Sequence, residues 1–231
     1  MPHRALLVIP LAAVALLGCS DDLPPPSEPL PVPDVVTIAE ARALPEKEYT
    51  QIEGFVSVPA GTFFSATGDF GFAIQDDTGG MYVSTYDELK ILIGAKIRVI
   101  GQLAEVSKQT VLLTNASGPD VLPGIEEVLP KDVATGDIDE STEGLLVRVK
   151  GTVSKAIVKD GSYGIKAYVD DGSGEVEIYV CLRGDATLID TTKLKVGTAV
   201  EITGLAQQYL DKYEVFPRGA TDLVLPAPPN P

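Results

Sequence analysis

The sequence feature that most constrains the fold is an internal duplication, which covers residues 49–114 and 145–216. Each copy begins with an alternating apolar and polar segment that contains a central glycine. Two shorter alternating segments follow, and they flank DDTGG at 76–80 in the first copy and DDGSG at 170–174 in the second. Because Asp and Gly tolerate the positive φ of tight turns, each copy is predicted to contain a β-hairpin.

A longer strand and a short final strand complete each copy. GAKIRVIG at 94–101 matches GTAVEITG at 197–204, with apolar residues at every second position, as a half-buried strand requires. A short helix is predicted before this strand, over 87–93 and over 185–195. Glycines inside the first and fourth strands fit the sharp bends of a small closed barrel. The pattern therefore predicts an all-β protein with short helices, built from two tandem five-stranded OB-fold barrels.

Three segments of the first copy, GFAIQDDTGGMYV, EGFVS and IGAKIRVIGQL, resemble the OB-fold modules that accompany secreted and surface nucleases of bacteria. EGLLVRVKGTV, AYVDDGSGEVEIYV and VGTAVEITGLA in the second copy resemble the same modules. The lead-in TIAEARALP is similar too, and its Thr37 and Glu40 have the spacing of the capping box that starts a helix. The resemblance implies the barrel fold, favours single-stranded nucleic acid as the ligand, and carries over no catalytic residue.

The N-terminus is predicted to be a lipoprotein signal. Arg4 precedes a 13-residue apolar run at 5–17, which is shorter than the roughly 20 residues of a transmembrane helix. The run is followed by Gly18 and Cys19, and this ending resembles the lipobox of bacterial lipoproteins, which implies cleavage before Cys19 and acylation of its sulfur. An ordinary secretory signal is the alternative. Two or three acyl chains, palmitate among them, give a stable anchor in the cell envelope.

The remaining boundaries follow from composition. Six of the fourteen residues at 20–33 are proline, which favours an extended spacer between anchor and body. Residues 118–124 are interpreted as the link between the barrels, and a short helix is predicted near 131–134. The predicted divisions are a signal peptide at 1–18, a proline-rich linker at 19–33, OB-fold domains at 34–124 and 125–225, and a proline-rich tail at 226–231.

The residue types present argue against an enzyme, and no cofactor is expected. Cleavage before Cys19 removes His3, the single histidine, so the mature chain lacks the commonest general base and the imidazole of nucleophilic triads and most zinc sites. Cys181 is then the one unmodified thiol, and its apolar strand indicates a buried side chain. Four carboxylates in the hairpin turns are weak candidates for metal ligands, since such residues more often cap their own turn: Asp76, Asp77, Asp170 and Asp171.

Aromatic and basic residues indicate where a ligand could lie. OB barrels bind ligands on the face of strands two and three, between the loops that join strands one to two and four to five. Rings beside cations suit a single-stranded polymer, whereas packing within the sheet is the alternative interpretation. The candidate ligand residues are Tyr163, Tyr168, Tyr179, Tyr209, Tyr213, Arg148, Lys150, Lys155 and Lys166 in the second copy, and Phe63, Phe64 and Tyr82 in the first.

The charge distribution leaves three functions open. The net charge of −15 opposes binding of a polyanion, but residues 144–225 carry 11 acidic and 10 basic residues, so the second barrel is nearly neutral. The first function is a lipid-anchored, non-catalytic binding protein of the bacterial cell envelope, with single-stranded nucleic acid, a polysaccharide or another extended polymer as ligand. The second is a structural lipoprotein that docks another envelope protein at the membrane. The third is an accessory module of an extracellular nuclease system.

Overall fold

The duplicated segments form two closed barrels in the computed structural model, which describes residues 32–63, 69–114, 118–183 and 186–225. The strands of the first barrel and its flanks are β1 (Val35–Val36), β2 (Tyr49–Val58), β3 (Phe72–Gln75), β4 (Gly80–Ser84), β5 (Ala95–Val106), β6 (Gln109–Thr114) and β7 (Asp120–Ile125). Those of the second are β8 (Lys131–Asp132), β9 (Leu146–Val153), β10 (Val158–Asp160), β11 (Gly164–Asp170), β12 (Glu175–Arg183), β13 (Ala186–Thr187), β14 (Ala199–Tyr209), β15 (Lys212–Phe216) and β16 (Leu223–Val224). The predicted class, all-β with two tandem five-stranded OB-fold barrels, is confirmed.

Each barrel closes through the same five pairings. In the first barrel β2 pairs with β3, β3 with β4, β4 with β6 in parallel, β6 with β5, and β5 with β2. The second barrel repeats this order with β9, β11, β12, β15 and β14. A Cβ atom on Gly54 would lie 3.0 Å from the carbonyl oxygen of Gln75, and one on Gly151 would lie 2.8 Å from that of Asp170. These two glycines therefore let the first strand approach the second closely.

Apolar residues at alternate strand positions fill the two interiors. Charged and polar neighbours at the intervening positions face outward, as the period of two requires. The first core contains Ile52, Val56, Ile74, Val83, Ile97, Val99 and Leu112, and the second contains Val149, Val169, Ile178, Val180, Val200, Ile202 and Val215. The inward positions that 94–101 and 197–204 share in the sequence are thus equivalent in the structure.

A lead-in helix packs into the core of the first barrel. α1 (Ile38–Arg42) begins after Thr37, whose hydroxyl accepts from the Glu40 N–H while the Glu40 carboxylate accepts from the Thr37 N–H. This is the capping box predicted from TIAEARALP. Ile38 and Ala41 are fully buried, so the helix covers apolar surface that the strands alone leave open.

Two local predictions were wrong. Residues 87–93 contain no helix, and the described part of 185–195 has only a 3-10 turn at Thr191–Lys193. Leu89 and Ile91 still pack against the first core, and Ile189 and Leu194 belong to the second, so these apolar side chains reach the cores without an α-helix. Residues 131–134 contain β8 instead of a helix, and a 3-10 turn follows at Thr135–Asp137. The segment predicted to link the barrels, 118–124, contains most of β7, which pairs with the part of β5 that β6 leaves free.

Several predictions fall on residues outside the described part of the chain. These are the signal peptide, Cys19 and its acylation, the linker up to residue 31, Phe64 and the tail at 226–231. They stay predictions. Among the described residues, no helix combines the length and the apolarity that crossing a membrane requires.

Candidate functional site

The outer surfaces of the two barrels meet in a shared apolar cluster. From the first barrel it contains Val58, Phe63, Ala73, Tyr82 and Val111, and from the second Cys181, Leu205 and Phe216. All are buried, which matches the buried position predicted for Cys181. Because β3 and β4 are strands two and three of the first barrel, the surface that OB folds use for ligands is covered there by the second barrel.

Two predicted ligand residues belong to this interface. Tyr82 is 1 % exposed, and its hydroxyl donates to Asp69 at 2.9 Å. Phe63 is 3 % exposed, and its ring meets Phe216 edge-on with centroids 5.5 Å apart. The prediction that Phe63 and Tyr82 contact a ligand is therefore wrong, because these rings pack one barrel against the other.

Polar contacts also hold the barrels together. Arg218 of the second barrel donates to the carbonyl oxygen of Ser57 in the first at 2.9 Å, and its guanidinium pairs with Asp222 at 2.8 Å. The fully buried carboxylate of Glu143 accepts from the Thr110 N–H at 3.0 Å. Since an unpaired buried charge is costly, these contacts favour one relative position of the barrels. The described residues between 32 and 225 accordingly form one compact unit.

The equivalent surface of the second barrel remains partly open. We call it the second-barrel face and define it by Lys155, Lys166, Tyr168, Tyr179 and Lys212. Lys166 and Tyr168 lie on β11, and Lys166 is directly opposite Tyr179 on β12. These are strands two and three of the second barrel, where ligands of OB folds lie.

Acidic side chains accompany every lysine of this face. Lys166 Nζ lies 3.2 Å from Asp160, and Lys212 Nζ lies 3.5 Å from Glu177. The Lys155 ammonium pairs with Glu175, which lowers the pKa of that carboxyl. The surface is therefore a network of opposite charges and not the purely basic patch that the lysines suggest in the sequence.

A pair of carboxylates lies beneath these lysines. Glu177 on β12 is opposite Glu214 on β15, and the residues are 5 % and 3 % exposed. Burial, and then the neighbouring Glu177, raise the pKa of Glu214 to about 8. Sequence reasoning missed Glu177, Glu214 and Lys212. The available signal was the alternation along each strand. Each acid stands between two inward-facing apolar residues, so both acids must lie on the outer surface of the barrel.

The aromatic residues do not share one stacking platform. The ring of Tyr179 stacks on Phe216 at 5.0 Å, and Lys166 Nζ lies 5.7 Å from its centroid. Tyr168 carries Lys155 Nζ at 4.9 Å from its centroid. Tyr213 packs against the second core and donates to Glu140, and its role as a ligand residue stays a prediction. Two further tyrosines are exposed: Tyr163 lies in the turn before β11, and Tyr209 is the last residue of β14.

Two predicted cations lie on a different wall of the second barrel. Arg148 and Lys150 lie on β9, which pairs with β14 along this wall. Lys150 is directly opposite Glu201 of β14, and its ammonium pairs with that carboxylate at 3.2 Å. Arg148 lies near Glu201 and Asp132. The structure thus separates Arg148 and Lys150 from the second-barrel face, which corrects their grouping with Lys155 and Lys166.

The aspartates of the two hairpin turns position the lead-in segments. Asp76 accepts from the Thr78 and Gly79 N–H groups and, through its other oxygen, from the Ile38 N–H at the start of α1. Asp171 accepts from the Ser173 N–H and from Thr135. Asp170 accepts from the Gly172 N–H of its own turn. Among the described residues, none of the four turn aspartates belongs to a cluster that could hold a metal ion.

The fold and the covered first face define the class of the molecule: a tandem OB-fold protein whose barrels pack on each other. No protein-family model matches the chain, and no curated protein matches it. Among solved structures it is similar to a murine DNA-binding protein bound with double-stranded DNA, with 16% identity, a TM-score of 0.43, and coverage of 78% of this chain and 98% of that one.

Two other solved structures are similar over different lengths. One is the tetrameric p202 HIN2, with 15% identity, a TM-score of 0.40, and coverage of 79% of this chain and 96% of that one. The other is OBody AM1L10 bound to hen egg-white lysozyme, with 21% identity, a TM-score of 0.34, and coverage of 43% of this chain and 98% of that one.

Proposed function

We propose that the protein is a lipid-anchored, non-catalytic binding protein of the bacterial cell envelope, and that its ligand is a single strand of nucleic acid lying across the second-barrel face. The observation that carries this proposal is the position of Lys155, Lys166 and Lys212 around Tyr168, which lies on the second strand of its barrel, one of the two strands that OB folds use for ligands. The first barrel contributes rigidity instead of a second ligand face, since its equivalent strands are covered.

The ion pairs determine how strongly such a ligand binds. A lysine that meets a phosphate gives up part of its contact with a carboxylate, so the gain from counterion release is offset. Stacking of a base on an aromatic ring is worth about 1–3 kcal/mol, and on Tyr168 it requires Lys155 to move aside. We therefore expect a weak complex that depends strongly on salt.

Neutralising two lysines of the face tests the proposal. The double variant Lys155→Gln/Lys212→Gln is expected to weaken binding of a fluorescein-labelled oligonucleotide, because two phosphate partners are lost. The slope of log affinity against log salt should fall by about 1.4, since each cation contributes about 0.7 with a single strand. Fluorescence anisotropy at several salt concentrations measures both quantities.

The matched control is Lys150→Gln/Lys193→Gln, which removes the same charge from two exposed, acid-paired lysines outside the face. Equal weakening by both double variants indicates general electrostatics and contradicts this location for the site. If the wild-type protein retains a polysaccharide and no oligonucleotide, the ligand class is wrong. If it retains neither but crosslinks to an envelope protein, the docking alternative is correct.

The lipid anchor has its own test, and its support is the sequence around Cys19. Cys19→Ser in the full-length precursor is expected to abolish incorporation of labelled palmitate and to move the protein from the membrane fraction to the soluble fraction. The loss follows because two or three acyl chains are needed for stable anchoring. Membrane association of Cys19→Ser equal to that of the wild type contradicts the anchor.

A further inference from the structure

The carboxylate pair beneath the second-barrel face adjoins the lysines that are proposed above to bind phosphate. The side chains of Glu177 and Glu214 lie on the outer side of the barrel, because Ile178 and Val215 next to them face the core. They stand opposite each other on neighbouring strands and are almost fully buried. Burial, and then the neighbouring carboxyl group of Glu177, therefore disfavour ionisation of Glu214.

Both central lysines of the face are coupled to this pair. Lys166 Nζ lies 3.6 Å from one oxygen of Glu177, and Lys212 Nζ lies 3.5 Å from the other. A change in the charge of the pair is therefore felt by the ammonium groups that are proposed to meet phosphate. Lys166 Nζ also lies 3.2 Å from Asp160, which is outside the pair.

The other groups around the pair come from every neighbouring strand. On β11 Tyr168 is opposite Glu177, and on β14 the neutral Gln207 is opposite Glu214. Tyr179 and Glu175 are further along β12, where Glu175 pairs with Lys155. From the first barrel, Lys108 in the hairpin before β6 pairs with Asp211, the residue that precedes Lys212.

We propose that the Glu177–Glu214 pair is a proton-operated gate on the second-barrel face: with one proton bound, Lys166 and Lys212 are available to a phosphate, and loss of that proton draws both lysines to the carboxylates. The proton moves between a carboxyl oxygen of the pair and solvent, and no other bond changes. This inference rests on the nucleic-acid function proposed above. Burial and the like charge raise the pKa of Glu214 to about 8, which places the change between neutral and mildly alkaline pH.

The test measures affinity as a function of pH for oligo(dA), whose bases do not titrate between pH 6 and 9.5. The wild-type protein is expected to bind about 25-fold more weakly at pH 9.5 than at pH 6 in 0.1 M salt, because the two lost phosphate contacts to a single strand together scale as about the 1.4 power of the salt concentration. Glu214→Gln, which mimics the protonated acid, is expected to keep its pH 6 affinity throughout.

Glu201→Gln is the matched control. Glu201 pairs with Lys150 on the other wall, so this variant removes the same charge and should retain the pH dependence of the wild type. A pH-independent wild-type affinity overturns the gate. So does a Glu201→Gln variant that loses its pH dependence to the same extent as Glu214→Gln.

A second measurement separates failure of the gate from failure of the proposed function. Carbon-13 NMR of the glutamate carboxyl groups in the free protein is expected to show one group titrating near pH 8, and that signal should be missing in Glu214→Gln. Titration of all glutamates near their ordinary value overturns the gate. Titration near pH 8 without oligonucleotide binding at any pH instead overturns the nucleic-acid function.

Discussion

Replacing Gly80 with alanine is expected to lower the free energy of unfolding by about 3 kcal/mol or more. A Cβ atom at Gly80 would lie 2.0 Å from the carbonyl oxygen of Gly144 in the lead-in to the second barrel. Rotation of a side chain cannot relieve this contact, because the obstacle is backbone. Overpacking usually costs about 1–3 kcal/mol, and a backbone clash between two packed barrels falls at or above the upper end. Urea unfolding followed by circular dichroism measures the change.

The matched control for Gly80→Ala is Gly219→Ala. It adds the same methyl group, but no heavy atom lies within 4 Å of the new Cβ and the backbone is extended. Its effect should stay within about 0.5 kcal/mol. If Gly80→Ala were as stable as this control, the close approach of the two barrels at Gly144 would not exist in solution.

Phe216→Ala is expected to destabilise the protein by about 3–5 kcal/mol, the range for large aromatic residues removed from a core. Phe216 is buried between the barrels, where it stacks on Tyr179 at 5.0 Å and meets Phe63 at 5.5 Å. The lost contacts belong to both barrels, so the variant should also expose the first barrel's covered face. Urea unfolding measures the stability, and limited proteolysis near Phe63 measures the exposure.

Tyr86→Ala provides the comparison for Phe216→Ala, because Tyr86 is 77 % exposed and its removal opens no cavity. We expect it to change stability by no more than about 0.5 kcal/mol. A loss below about 1 kcal/mol for Phe216→Ala would mean that the barrels do not pack as described. The covered face of the first barrel would then be available to a ligand after all.

The interface and the carboxylate pair together explain why a duplicated sequence has one candidate site and not two. Tyr82 and Tyr168 both face outward from their strands, yet the first is covered by the second barrel and the second is not. Duplication supplied two equivalent surfaces, one on each barrel. The surface of the first barrel is buried where the second barrel packs on it, and it therefore stabilises the molecule instead of binding a ligand.

Local rules in the sequence were sufficient for the barrels themselves. The alternation at 94–101 and 197–204 identified the inward side chains, and the DDTGG and DDGSG turns identified the hairpins. Thr37 and Glu40 identified the start of α1. Each of these signals depends on residues within a few positions of one another, because strand period, turn chemistry and helix capping are local properties.

Lysines on strands look alike in the sequence, and only the pairing register distinguished them. Lys150 lies opposite Glu201 on the fourth strand, whereas Lys166 lies opposite Tyr179 on the third. Glu177 and Glu214 are 37 residues apart in the numbering, and the parallel pairing of β12 with β15 brings them together. A contact of this kind depends on how the barrel closes, and no short segment contains that information.

By itself, the sequence determined the duplicated strands, their inward faces and the turns that join them, because those features follow from the spacing of apolar, Asp and Gly residues. The tertiary structure alone decided which outward surface was covered, which lysines met which acids, and that two carboxyl groups would be buried side by side. The physical reason is that burial and charge pairing between distant segments depend on the closure and packing of whole barrels.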